Sequence, residues 1–283
     1  MKKYVLLLAF TISALNSMEN QENMTESELN LLQLLQTYKI TTENHVIFHI
    51  GCRTGELSAK LAQTASHIHG FDHNKKYIDT ATNQYRHLKN ISFTHCPSLS
   101  LNFPRQCNVV IIDYTASDDY ININEHKKEL FQSINQHLLQ GGEIFLSIPT
   151  SDNTVHPNIE VAKGMAPVLH SLIPDITKEN IINLMTPSYP SLQELLVTLE
   201  ETDFEIITHA EQMSMIEVSL NDFIEYYNHI ITHNPIFGCI QNDDLKQALR
   251  RQFIQSYLKK IKRNEKNNIL EPIISTIIHA RKK

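Results

Sequence analysis

Residues 46–58 read VIFHIGCRTGELS, and the reading of this stretch decides the fold. Val46 to Ile50 form a short apolar run rich in β-branched residues, which suits a strand buried on both faces. Gly51 follows at once. A glycine there lets the chain turn sharply and lets backbone approach a ligand that a Cβ would exclude. Gly55 closes the turn, and Leu57 and Leu61 begin a helical pattern. The free N–H groups at the start of that helix then face whatever lies above the turn.

Outward from this point the chain alternates. Residues 67–71 (HIHGF) predict a second strand, followed by a helix from Lys75 that carries Tyr77, Ile78 and Ala81. Residues 91–95 (ISFTH) and 109–112 (VVII) predict a third and a fourth strand. Residues 125–139 read as a helix with Leu130, Phe131, Ile134, Leu138 and Leu139 on one side. Gly141 and Gly142 then turn the chain into a fifth strand at residues 143–148. Strands alternating with helices in this way predict an α/β fold with a parallel sheet covered on both faces. Asp72 ends the second strand, 21 residues after Gly51. A carboxylate at that place can accept both hydroxyl hydrogens of a ribose, so a nucleoside-type ligand is expected in a doubly wound sheet.

The rest of the chain is less regular at first. Residues 151–190 carry five prolines and read as an inserted helical cover. Residues 191–201 predict a helix, 204–209 (FEIITH) a sixth strand, 222–231 and 243–261 two more helices, and 273–279 (IISTIIH) a last strand. In the helix from Asp243, Leu245, Leu249, Phe253 and Tyr257 recur every four residues. Upstream, Thr25 and Glu28 form a capping-box pattern ahead of Leu29, Leu31, Leu32, Leu34 and Leu35. Residues 1–17 place two lysines before a short apolar stretch and end in small and polar residues. That is the shape of a secretory signal with a cut near Ala14 or Ser17, or of a misassigned start, since Met18 and Met24 follow. It is too short to span a membrane, which takes about 20 apolar residues.

Composition narrows the function. The 283 residues hold 25 Lys+Arg against 31 Asp+Glu, a formal charge of −6, which argues against general nucleic-acid binding. Cys52, Cys96, Cys107 and Cys239 form no C-x-x-C pair, and the 15 histidines are spread out, so no metal site is expected. His67, His69 and His73 are the only close set. The basic run Lys259, Lys260, Lys262, Arg263 and Lys266 reads as a solvated helix end. Glycine is scarce, with 7 residues where average usage of ~7% gives about 20. The dinucleotide fingerprint G-x-G-x-x-G would need glycines at 51, 53 and 56; Arg53 and Glu56 stand there instead, which disfavours NAD.

The stretch 49–55 resembles the first motif of the class I, Rossmann-like S-adenosylmethionine-dependent methyltransferases, acid-x-Gly-x-Gly-x-Gly. His69-Gly70-Phe71-Asp72 is similar to that family's second motif, Val109 to Asp113 to its fourth strand and terminal acid, and Leu138 to Glu143 to its Leu-x-Pro-Gly-Gly turn. The tail from Phe223 to Lys283 is similar to the trans-aconitate methyltransferase group. The resemblance covers residues 25–283, is tightest over 45–148 and loosest over the cover at 151–190. It implies a seven-stranded sheet with the last strand antiparallel, S-adenosylmethionine as cofactor, and a cofactor site of His49, Gly51, Cys52, Arg53, Gly55, Asp72, Pro97 and Ser98.

Four positions depart from the pattern. His49 stands where the family has an acid that holds the cofactor's amino group; a neutral imidazole accepts one hydrogen bond, whereas an imidazolium repels the cation. Arg53 replaces the second glycine, and its guanidinium either pairs with the cofactor's carboxylate or fills the site. Pro97 offers no carboxylate where an acid often meets the adenine amino group, and Asp203 replaces a structural glycine before the sixth strand.

The resemblance implies transfer of the sulfonium methyl to an oxygen of a small-molecule acceptor. A carboxylate acceptor needs no general base, and no Ser–His or His–Asp spacing in the chain demands one. Asp113 and Tyr114 are the acceptor-side residues, or equally a strand-end acid and an aromatic packing under the cover; Arg250 and Arg251 are cations that suit an acidic substrate. The alternative is an inactive methyltransferase-like binding protein or a secreted interaction protein. A cytosolic cofactor places the enzyme in the cytoplasm, and oligomeric state is open.

Overall fold

The computed structural model describes residues 31, 32, 35, 44–96, 103–113, 120–148, 150, 157–185, 189–221, 224, 237, 240, 242–259, 262–265 and 267–283. Its centre is one twisted sheet. In chain order the first elements are β1 (Val46–Ile50), α1 (Glu56–Leu61), β2 (His67–Asp72), α2 (Lys75–Gln84), β3 (Ile91–His95), β4 (Cys107–Asp113), α3 (Tyr120–His137) and β5 (Leu138–Ile148). There follow α4 (Pro157–Leu172), α5 (Lys178–Met185), α6 (Leu192–Glu201), β6 (Phe204–Val218), α7 (Asp243–Leu258), β7 (Lys262–Arg263) and β8 (Ile269–Lys282).

The strands lie in the order β3-β2-β1-β4-β5-β8-β6, with the two-residue β7 against β8. The pairs β1–β2, β1–β4, β2–β3 and β4–β5 are parallel; β8 runs antiparallel to both β5 and β6. This is the doubly wound sheet with a reversed last strand, and the order changes direction at β1 and β4. Ligands of such sheets lie beyond the carboxyl ends of the strands at that switch point.

Both faces are packed. On one, Phe48, Val110, Ile112, Ile144 and Leu146 meet Phe131 and Ile134 of α3 and Leu195 and Leu199 of α6. On the other, Ile47, Val109, Ile111 and Phe145 meet Leu57 and Leu61 of α1 together with Leu31, Leu32 and Leu35. The remainder of the leucine-rich helix and its Thr25 cap lie outside the described residues, as do residues 1–17. Helix starts carry local signatures. Asn74 accepts the Lys76 N–H at 3.0 Å, and Ser191 and Glu194 form a complete capping box on α6.

Two expectations need correction. Leu138 and Leu139 are not the end of the helix: α3 stops at His137 and both leucines begin β5. Leu139 is accordingly exposed. Apolar residues at helical spacing ran on across the boundary, and periodicity alone does not mark where a helix becomes a strand. Gly141 and Gly142 also lie inside β5. The register passes from Cys107↔Leu138 to Val109↔Glu143, so residues 139–142 bulge opposite Asn108, with Gly141 at φ 71°.

The end strands are longer than the apolar runs suggested. Residues 204–218 pair with 269–282, and β5 reaches only residues 276–281 of β8. The outer halves of β6 and β8 thus form a two-stranded ribbon that leaves the sheet at the carboxyl end of β5. At its tip Ile269 joins a separate core with Met165 and Leu169 of α4, Ile181 of α5, and Leu249 and Phe253 of α7. This second core stands at the same end of the sheet as the turn after β1. The expected helix over residues 222–231 falls mainly on residues outside those described.

Candidate functional site

The turn after β1 is fixed by close backbone contacts. Gly51 N and Cys52 N both donate to Phe71 O, at 2.8 and 3.1 Å, and Gly55 N donates to Cys52 O at 2.9 Å. Gly51 has φ 78°, and a Cβ there would sit 2.1 Å from the carbonyl oxygen of Asp113. The neighbouring strand β4 thus requires the glycine by itself, beside the sharp turn that the sequence already asks of it. Gly55 (φ 88°) and Gly70 serve a different neighbour: a Cβ at either would come within 3 Å of the Phe93 ring. Phe93 on β3 thus fills the space that these two glycines leave beneath the turn.

Cys52 is buried with its Sγ against Gly70 and is a packing residue of the turn. Arg53 occupies the second glycine place with φ 50°, so the backbone keeps the left-handed conformation although the glycine is gone. Its N–H donates to Asp72 Oδ2 at 2.9 Å. Asn74 N donates to Asp72 Oδ1 at 2.8 Å, and His73 Nδ1 lies 3.4 Å from the same oxygen. Asp72 is therefore held rigidly at the end of β2. Each carboxylate oxygen accepts more than one hydrogen bond, which leaves it able to receive hydroxyl donors.

His49 is fully buried on β1 and pairs through Nδ1 with Ser58 Oγ of α1 at 2.7 Å. Its Nε2 is buried with no hydrogen-bond partner, and so is Nε of Arg53. Burial pushes the His49 pKa down from 6.5 to about 3. The imidazole is thus neutral at physiological pH, and the repulsion that an imidazolium would exert on a cationic ligand does not arise. Ser58 was missed by sequence reasoning, since a buried serine one turn into a helix carries no signature. The His49–Ser58 pair is a Ser–His contact, but both residues are wholly buried, which suits orientation of the ring and not nucleophilic attack.

Asp113 ends β4 and is buried beside the turn, its carbonyl in contact distance of Gly51. Tyr114, Pro97 and Ser98 lie outside the described residues. The structure thus brings His49, Gly51, Cys52, Arg53, Gly55, Asp72 and Asp113 together at the carboxyl ends of β1, β2 and β4. Of the close histidine set, His69 is engaged elsewhere, with Nδ1 2.6 Å from Ser92 Oγ and Nε2 3.0 Å from the Arg105 guanidinium.

Residues 47–142 match the family model of the methyltransferase domain. The matched segment, 96 of the 283 residues, spans β1 to the bulge in β5 and includes every described residue of the turn. No curated protein matches the chain by sequence. Among solved structures, the YcgJ protein of Bacillus subtilis is 16% identical, with a TM-score of 0.53 over 90% of this chain and 99% of that one. A Bacillus halodurans protein described as a candidate methyltransferase is 13% identical, with a TM-score of 0.55 over 89% and 99%. The magnesium protoporphyrin IX methyltransferase of Synechocystis, solved with bound SAH, is 12% identical, with a TM-score of 0.50 over 91% and 82%. These likenesses establish the Rossmann-like methyltransferase fold.

S-adenosylmethionine is the cofactor of the methyltransferase domain, and the donor set of the turn fits it. Its ribose needs an acceptor pair, which Asp72 supplies. Its aminoacyl end needs polar partners, and His49 Nε2 and Arg53 Nε are buried without any. No helix among the described residues is long and apolar enough to cross a membrane.

Proposed function

We propose that the protein transfers the sulfonium methyl of S-adenosylmethionine to an oxygen, and specifically a carboxylate oxygen, of a small-molecule acceptor. The observation that carries this reading is Asp72 standing beside two buried, unpartnered nitrogens, His49 Nε2 at the end of β1 and Arg53 Nε in the turn that follows. Bound cofactor supplies an already activated methyl group. The residues of this chain then bind, orient and exclude water, which is what methyl transfer asks of a protein.

The second core, standing at the same end of the sheet, supports a small acceptor enclosed between Asp113 and the helices α4, α5 and α7. We read residues 25–283 as one methyltransferase-like domain in which 151–190 form an inserted cover. The resemblance assigns Asp113 and Tyr114 to the acceptor side and Pro97 and Ser98 to the cofactor. Within the family the trans-aconitate group is the nearest, on the strength of the tail after Phe223. The cytoplasm, where the cofactor is made, is the proposed location.

One pair of observations favours a second reading: a guanidinium replaces a glycine at 53, and an imidazole replaces an acid at 49. Under it the fold survives as a binding protein without catalysis. Radiolabelled methyl transfer to a panel of small organic acids, run beside calorimetric titration with S-adenosylmethionine, separates the two. Binding with transfer supports the enzyme; binding without transfer to any acceptor favours the second reading. No heat at millimolar cofactor overturns the enzyme reading and also favours the second.

A further inference from the structure

The usual reading of a turn of this kind rests on an acid that neutralises the cofactor's ammonium. This turn has the opposite balance. At the strand end stands His49, whose burial keeps it uncharged. Two residues past the glycine stands Arg53, a permanent cation whose Nε is buried and unpartnered. Three acids stand nearby: Asp72, Glu56 and Asp113, the last buried at the end of β4. Asp72 accepts two backbone N–H groups, and Glu56 accepts the Thr54 hydroxyl at 2.7 Å.

The aminoacyl end of the cofactor carries one carboxylate and one ammonium. Facing a guanidinium and a neutral ring, the carboxylate gains a charge-assisted and potentially bidentate contact. From the ring the ammonium gains one hydrogen bond at most, to the His49 tautomer that leaves Nε2 unprotonated while Nδ1 donates to Ser58. The backbone at Arg53 adds a constraint. Its N–H is tied to Asp72 and its φ is left-handed, so the base of the side chain is fixed beside the ribose acceptor.

We infer that this site recognises the aminoacyl end of its nucleoside ligand through the carboxylate, on the Arg53 guanidinium, with His49 Nε2 as a minor contact to the amine. The inference rests on S-adenosylmethionine and its thioether product being ligands of this turn. It makes the chain selective for the half of the aminoacyl group that acid-bearing turns leave to other residues.

Calorimetric titration of the full chain with three thioether ligands tests this: S-adenosylhomocysteine, its analogue lacking the carboxylate, and its analogue lacking the α-amino group. The thioethers remove the sulfonium charge, so differences report only the aminoacyl end. Loss of the carboxylate is expected to weaken binding ~10–100-fold, the range of a charge-assisted hydrogen bond, and loss of the amine less than ~5-fold. Arg53→Gln keeps the side-chain length and is expected to erase the carboxylate preference. His49→Asp is expected to raise the cost of losing the amine. Should that variant fail to fold, the wild-type ligand series and Arg53→Gln decide alone. Equal affinity for the decarboxylated and parent ligands, or tighter binding of the parent by Arg53→Gln, overturns the inference while leaving the ligand class intact. Absence of binding by all three ligands to wild type overturns instead the reading on which it rests.

Discussion

Two turns of this molecule hold a charged residue at a position whose backbone suits glycine. Arg53 lies in the turn after β1 at φ 50°, and Asp203 lies between α6 and β6 at φ 71°. The backbone demand is the same in both, and both side chains tolerate it at a cost of roughly 1–2 kcal/mol. The surroundings differ. Asp203 is exposed, its carbonyl accepts the Lys283 N–H at 3.1 Å, and its side chain meets solvent. Arg53 keeps its guanidinium Nε buried and unpartnered beside the carboxyl end of β1. One residue alters only local strain, whereas the other alters the charge of the proposed site.

The largest expected effect comes from the glycine that the turn after β1 keeps. Gly51→Ala places a Cβ 2.1 Å from the Asp113 carbonyl at a left-handed φ, and neither partner is a flexible side-chain end. A loss of about 3–5 kcal/mol is expected, from backbone displacement added to conformational strain. Gly141→Ala is the matched control, because φ is 71° there and nothing lies within 4 Å. It should cost only about 1 kcal/mol. Urea unfolding of the two variants checks the contrast, and equal losses would show that strain rather than the β4 contact sets the requirement.

Next in size is the acid sensitivity of the turn. His49 has a folded pKa of about 3 against 6.5 for the free side chain. The unfolded chain therefore binds a proton between these values that the folded chain refuses, and stability falls as pH drops through that window. Between pH 7 and pH 5 the share owed to His49 is about 2 kcal/mol. His67, His69 and His279 are also shifted downward, chiefly by burial, and add to the total slope. His49→Asn should remove only its own share, read as a smaller shift of the urea midpoint between the two pH values. An unchanged shift would mean that water reaches the ring.

How much of this was legible follows from where the chemistry announces itself. The strands at 46–50 and 91–95 stand out because short apolar or alternating runs end at clear turn residues. The ribbon was underestimated because Glu211, Gln212 and Ser214 interrupt the apolar pattern of β6 where it leaves the sheet. In the site, the glycines and Asp72 are readable from spacing, since each is tied to a fixed place at a strand end. Ser58 and Phe93 are not, because their roles depend on which side chain lies opposite in space. Gly51 was recognised as necessary, but its contact with the Asp113 carbonyl was not; sequence marks a close approach without saying what approaches.

The smallest expected effects sharpen the comparison most. Arg53→Gly and Asp203→Gly each relieve left-handed strain, offset by the greater entropy of glycine in the unfolded chain. Each should therefore stabilise the protein by no more than about 1 kcal/mol, and by similar amounts, in urea unfolding. Ligand binding should separate them completely. Asp203→Gly leaves affinity for S-adenosylhomocysteine unchanged, because its strain is far from the carboxyl ends of β1 and β2. Arg53→Gly weakens it by ~10-fold or more while raising stability, as it removes the carboxylate's partner. If both variants leave affinity unchanged, Arg53 is as inert toward ligand as Asp203. If Arg53→Gly binds more tightly, the guanidinium occupies the space that glycine keeps open elsewhere in the family. Only opposite signs for stability and affinity at Arg53, against a stability change alone at Asp203, fit a side chain recruited from a structural position into recognition.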